Sequence, residues 1–254
     1  MTKELSLTDY LAQGGKLTSP GNAPPRYRAE LMKLMATFVD SELAGAAGFA
    51  DVINAGPGIK ERIAAARIVL EKTDHAGRVL RLMGEFGADT GRYATHHPWT
   101  ARLDRDVDIG ARRSEHDMRL AVFNYPLQGW ADAVVMNCLM GHAVGIQLAE
   151  FGRLSYQPLA EVFRAIAPAE RHHTELAEEG LARLMQTGTP KSDLQTSVDY
   201  WWPRVAASFG TDRSERFAAL KALGLRHRSA EDQRADWERA AGQAINALGL
   251  TAPG

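Results

Sequence analysis

A chain of 254 residues with 30 basic and 31 acidic side chains, and so a formal net charge of −1, is long enough to bury one large core. That balance gives no electrostatic reason to expect nucleic acid or an anionic membrane as the main partner. The single cysteine, Cys138, sits in an apolar run and has no intramolecular partner, which fits a reducing, cytoplasmic setting. Residues 1–9 carry acids where a secretory leader would need an apolar stretch.

In chain order, the first 26 residues end in Ser19-Pro20-Gly21-Asn22-Ala23-Pro24-Pro25. Breakers this dense predict an extended arm, not a helix. From Tyr27 to about Ala50, Leu31, Leu34, Met35, Phe38, Val39, Leu43 and Ala46 recur at the helical period. Gly56-Pro57-Gly58 stops that helix and opens another from about Ile59 to Phe86, with Ile63, Ala66, Ile68, Leu70, Val79 and Leu82 as apolar positions. The short loop predicts antiparallel packing of the two. Between Gly87 and Leu120 the pattern dissolves into a polar stretch containing His96-His97-Pro98-Trp99 and Asp104-Arg105-Asp106. A connection of that length inside a bundle is a crossover or a functional loop.

The apolar stretch from Ala131 to Ala149 is long enough to span a bilayer, but Asp132, Asn137, His142 and Gln147 would be costly in lipid. It predicts the central helix of a bundle, from Trp130 to about Arg153, and no membrane. Another helix runs from Leu159 to Met185, with Pro168 as a kink or a restart. Gly188-Thr189-Pro190 opens a helix that carries Tyr200-Trp201-Trp202. Three consecutive aromatics cannot share one helix face, so at least one meets a partner chain or lies under the C-terminal helices. Shorter helices follow near residues 213–224 and 230–248. No alternating strand pattern and no domain boundary emerge. Four long helices in two pairs around a long connection predict an all-α, ferritin-like four-helix bundle with additional C-terminal helices, a single domain over residues 27–254 behind the arm of residues 1–26.

Bundles of that plan hold two irons between one Glu from each of two helices and a Glu-x-x-His pair from each of the others. Glu170-Arg171-His172-His173 has the spacing that puts both ligands on one face. Ahead of His75 the residue three back is Lys72, not a carboxylate, and Glu71 lies four back. Glu42, in Val39-Asp40-Ser41-Glu42-Leu43, interrupts an otherwise apolar helix. A solvated charged face around Glu170 and a surface position for Glu42 are the bland alternatives.

Several strings resemble one family. They are Tyr27-Arg28-Ala29-Glu30-Leu31 through Asp40-Ser41-Glu42-Leu43, and Ala65-Ala66-Arg67-Ile68 through His75-Ala76 to Glu85-Phe86-Gly87. Phe123-Asn124-Tyr125-Pro126 followed by Trp130-Ala131-Asp132 is the most distinctive. Ser155-Tyr156-Gln157-Pro158-Leu159-Ala160, Trp201-Trp202-Pro203 and Leu248-Gly249-Leu250-Thr251 complete the set. Together they are similar to the ferritin-like proteins of phenylacetate degradation, whose catalytic member is the oxygenase subunit of phenylacetyl-CoA epoxidase. The resemblance runs from Tyr27 to the C-terminus.

It implies an oxygenase-type protein, a monooxygenase component acting on an aryl- or acyl-CoA thioester, with Glu42, His75, Glu170 and His173 on family metal-ligand positions. Two positions depart from the pattern. Lys72 stands where the catalytic subunit has the Glu of its first Glu-x-x-His, and Gly141 where it has an Asp, beside His142. A one-residue bulge would bring Glu71 or His142 inward instead. Losing two carboxylates and gaining an ammonium disfavours two divalent ions, so the expectation is one iron or none, with Lys72 and Glu42 as acid–base residues. His75, His173 and one of Glu42 or Glu170 would form a two-histidine, one-carboxylate set for a single iron. Implied partners are a family-type bundle subunit or a second copy, and a reductase if the chain is an oxygenase. The competing expectation is a non-catalytic bundle subunit that pairs with a catalytic paralogue.

Overall fold

A computed structural model describes residues 6–109, 117–211 and 214–253, side chains of residues 92, 96 and 214 aside. Four long helices form a ferritin-like bundle: α2 (Pro25–Val52), α3 (Ile59–Glu85), α5 (Gly129–Phe151) and α6 (Gln157–Gln186). The α2–α3 and α5–α6 hairpins are the tightest pairs, joined face to face by α3 on α6 and α2 on α5. Three further helices, α7 (Lys191–Ala206), α8 (Ser214–Ala222) and α9 (Ala230–Ala247), add the C-terminal layer, with α7 and α9 packed on α5. Among the described residues the only β pairing is an isolated bridge between Leu17 and Tyr156.

The helix α5 is apolar and long enough to cross a membrane by composition, yet its residues are mostly buried inside the bundle. Its polar residue Asp132 explains why: the carboxylate accepts from Arg105 (2.7 Å), the Gln128 amide (2.8 Å), Ser197 Oγ (2.8 Å) and Trp201 Nε1 (2.9 Å). A buried carboxylate with four donors is a fully paired group that fastens α7 to the start of α5. Trp201 is thereby enclosed, and Trp202 packs on Trp237 of α9 with ring centroids 4.5 Å apart. Tyr200 lies under the Arg105 guanidinium, 3.5 Å from its ring centre. The chain itself encloses Trp201 and Trp202, the latter under α9, while Tyr200 stays half-buried against Arg105 and Tyr125.

Three features differ from the sequence-based expectation. The arm is not wholly extended: Leu7–Ala12 forms α1, capped by Ser6, whose Oγ accepts from the Asp9 amide at 3.2 Å. The breakers that argued against a helix all lie after residue 12, so they end α1 without preventing it. Beyond it Leu17 docks on the α5–α6 turn, its amide donating to Ser155 O and its carbonyl accepting from the Gln157 amide, both at 2.8 Å. Within the polar connection, Thr90–His96 forms a further helix, α4. Residues 110–116 of that connection lie outside the described residues. Pro168 causes no restart, and α6 runs on through it. The proline lies on the exposed face, where water can serve the carbonyl that loses its partner.

Trp130 sits at the entrance to α5 and stacks on Phe49 of α2, ring centroids 6.1 Å apart. Phe123, from the 3₁₀ turn Ala121–Asn124, fills the space over Gly45, where an added Cβ would come within 3.1 Å of its ring. Trp130 is half-buried, so Trp130→Ala is expected to cost about 2 kcal/mol, or about 4–8 °C in Tm. An unchanged melting curve would contradict this packing role.

Candidate functional site

The centre of the bundle is charged, and helical register explains how. Glu42 on α2, Lys72 and His75 on α3, and Glu170 and His173 on α6 all point to one level between the helices. Lys72 Nζ donates to Glu42 Oε1 at 3.1 Å and to Glu170 Oε1 and Oε2 at 3.2 and 3.0 Å. His75, one turn on, brings Nδ1 to 2.9 Å from Glu170 Oε1 and 3.6 Å from Glu42 Oε2. The Lys72 side chain is 12% exposed and those of Glu42 and Glu170 are 5% and 2% exposed, so this is an interior ion cluster and not a solvated face.

Inside a bundle, unpaired charge is costly and each group sets the protonation of its neighbours. Burial pulls the Lys72 ammonium down, but the charges of Glu170 and then Glu42, with their hydrogen bonds, outweigh it and hold the amine above its ordinary range. Burial pushes the Glu170 carboxyl up, yet Lys72 and the hydrogen bonds of His173 and His75 hold it well below the usual carboxylate range. For His75, burial opposes protonation, while the hydrogen bond to Glu170 and the negative charge of nearby Glu42 raise it to about 9. The cluster therefore carries protonated Lys72 and His75 against the carboxylates at neutral pH.

His173 lies beside the cluster but is shared. Its Nε2 meets Glu71 Oε2 at 2.6 Å, and its Nδ1 is 3.4 Å from Glu170 Oε2. Glu71 stays at the rim, 34% exposed, and reaches no further inward than His173. His142 turns to Glu178 at 2.9 Å. Within this cluster, the ligand-type atoms that converge closely enough to share one ion are those of Glu42, His75 and Glu170. On the α5 side, Gly141 faces a small cavity of about 40 Å³ bordered by Lys72, Glu170 and His173. A Cβ on Gly141 would meet Thr174 Oγ1 at 2.5 Å, so Thr174 fills the room a side chain at position 141 would need. Sequence spacing gives no sign of Thr174, because its contact crosses from α6 to α5.

A second cavity, about 620 Å³, reaches the cluster from outside. Its inner wall is apolar, with Leu34, Phe38, Met140, Val144 and Leu148, and Glu42 lies on it. Basic side chains line it as well: Lys33 and Arg216, both exposed, and Arg226 and Arg228. Arg216 is 3.3 Å from Glu30, and Arg228 is 2.6 Å from Asp236. No local spacing could reveal this cleft, because α2, α5 and the α8–α9 region build it together. Glu42 Oε1 is held by Lys72, whereas Oε2 is buried without a hydrogen-bond partner among the described residues.

Comparison with known proteins agrees with this architecture. A family model described as phenylacetic acid catabolic protein matches residues 15–254. The chain is similar to one of the subunits of 1,2-phenylacetyl-CoA epoxidase from Escherichia coli (strain K12), with 25% identity over 205 residues, 80% of this chain and 62% of that protein. The chain thus spans about three-fifths of the length of that curated relative. With a match over nearly its whole length and the ferritin-like bundle to go with it, the chain belongs to the phenylacetic acid catabolic protein family.

Proposed function

We propose that this chain binds an aryl- or acyl-CoA thioester in the large cleft and acts on it without a two-iron centre, Glu42 being the group that meets the substrate. The observation that carries this reading is the position of Glu42: one oxygen fixed by Lys72, the other making no hydrogen bond among the described residues and 3.6 Å from His75 Nδ1, on the wall of a cleft of about 620 Å³. A carboxylate that is held in place with one oxygen free of hydrogen bonds suits a proton acceptor. The apolar wall suits an acyl or aryl group, and the lining arginines suit the phosphates of a nucleotide thioester.

The donor set does not fit two irons. Lys72 Nζ rests on oxygens of both Glu42 and Glu170, where metal ions would have to bind. On α5, Gly141 offers no donor, and Thr174 closes the space for one. An ammonium in place of a carboxylate also moves the local charge toward positive, which works against divalent ions. Glu42, His75 and Glu170 would suit a single iron only with the ammonium withdrawn. Within this reading Lys72 orients Glu42 and balances its charge, and His75 holds a proton against Glu170.

A second reading is favoured by the completeness of the ion pairing, which is also what a bundle retaining a former site as mere packing would need. The chain would then be a structural component beside a catalytic paralogue. Calorimetric titration with phenylacetyl-CoA, acetyl-CoA and free CoA separates the two. The first reading expects the aryl thioester to bind at least about tenfold more tightly than free CoA, since each buried CH2 contributes about 0.8 kcal/mol. Val144→Trp, which fills the cleft, should abolish that gain. Failure to bind any thioester, together with stoichiometric co-purification with a catalytic paralogue, would favour the second.

A further inference from the structure

A second buried cluster lies on the other side of α2, where the polar connection folds onto it. Asp40, two residues before Glu42, is fully buried, and Asp117 is 5% exposed. Between them stands His97, its side chain 4% exposed, with Nε2 at 3.1 Å from Asp40 Oδ2 and 3.8 Å from Asp117 Oδ1. These three offer ligand-type atoms all within 4.8 Å of one another. Despite those short distances, neither ring nitrogen of His97 makes a hydrogen bond among the described residues. A buried imidazole that close to two carboxylates but not aimed along either contact needs a reason.

Metal coordination supplies one. Ligands of a tetrahedral ion with bonds of about 2.0–2.1 Å lie roughly 3.3 Å apart, and their lone pairs point at the ion instead of at each other. The two separations from His97 Nε2, 3.1 and 3.8 Å, bracket that value. The surroundings also do what outer partners of a metal site do, fixing each carboxylate by one hydrogen bond to each oxygen, which leaves a second lone pair on each. Tyr93 Oη donates to Asp40 Oδ1, and the Met118 amide donates to Asp40 Oδ2 at 2.7 Å. Arg119 Nε holds Asp117 Oδ2 at 2.8 Å, and its amide reaches Oδ1 at 3.0 Å. The His97 ring is clamped between Tyr93 and Trp99, with ring centroids 5.6 and 5.0 Å away.

We infer that Asp40, His97 and Asp117 form a binding site for one divalent transition-metal ion of the zinc type, separate from the Glu42–Lys72–Glu170 cluster. One imidazole and two carboxylates make a mixed N/O set with a fourth position left for a small ligand. The ion ties the connection to α2. Met118 and Leu120, which follow Asp117, line the large cleft, and the Leu120 amide donates to Ser41 Oγ at 3.0 Å. Binding there therefore fixes one wall of the cleft.

The test uses full-length protein stripped with a chelator and titrated with Zn²⁺ against a chromogenic competitor. One equivalent is expected. His97→Gln and Asp117→Asn should each weaken uptake at least about a hundredfold, and Tyr93→Phe, a positioning change, about tenfold, whereas His75→Gln should leave it intact. Co²⁺ in the wild-type protein should give the visible bands of a tetrahedral N/O site, a readout that does not depend on any variant folding. No zinc uptake by the wild type would overturn the inference, as would bound Co²⁺ without tetrahedral bands. Uptake lost in His75→Gln but kept in His97→Gln would place the ion at the internal cluster and overturn it equally.

Discussion

Lys72→Ala is expected to destabilise the protein by about 3–5 kcal/mol at neutral pH, because it strands Glu42 and Glu170 in the bundle without their cation. Urea unfolding of the two proteins measures the difference. Removing all three charges together is a different case: Lys72→Met with Glu42→Gln and Glu170→Gln should recover most of the loss, since a matched neutral set avoids the desolvation of charge. The pH dependence of the single variant has a definite sign. The Glu170 carboxyl is held below its ordinary range, so its contribution to wild-type stability is present above that range and fades as pH falls through the depressed folded value. The gap between wild type and Lys72→Ala should therefore narrow in acid. A Lys72→Ala protein as stable as wild type would show the ammonium to be dispensable.

His75 gives the second large effect, in the opposite pH direction. Its folded value of about 9 stands above the ordinary 6.5, so the folded state keeps a proton that the unfolded chain releases. That contribution is complete below pH 6.5 and is lost as pH rises to about 9. A rise of that size corresponds to about 3 kcal/mol. Unfolding midpoints at about pH 6, 7.5 and 9 should fall for the wild type and fall distinctly less for His75→Gln, after allowance for the shared slope of the remaining groups. Parallel slopes would mean that His75 stays neutral in the fold.

The long helices were legible because each buries one stripe: Leu31, Met35 and Val39 on α2, and Phe163, Ile166 and Leu181 on α6, are fully enclosed. Periodicity reports that burial directly. It is weaker for short elements, which is why the sequence pattern does not separate α1 and the seven-residue α4 from an arm and a loop. In the internal cluster, the place of Glu42, Lys72, His75, Glu170 and His173 on facing helices followed from resemblance and register. What register could not supply was the fourth wall. Position 141 reads as a missing ligand, yet Thr174 from the neighbouring helix occupies its space. Restoring both carboxylates by Lys72→Glu with Gly141→Asp would therefore also need Thr174 reduced, for example to Ala. Asp40 was equally hidden. Beside Ser41 and Glu42 it reads as part of a polar turn of helix, whereas Tyr93 and Met118, 53 and 78 residues away in sequence, enclose it completely.

Iron content at the internal cluster is the most direct measurement. Protein purified without chelators, and again after incubation with Fe²⁺ under anaerobic conditions, should show no pair of irons by elemental analysis and Mössbauer spectroscopy, while Lys72→Glu should take up more iron than the wild type. Two irons per wild-type chain, displaced by His75→Gln, would contradict the reading of Lys72 as the cation of this site.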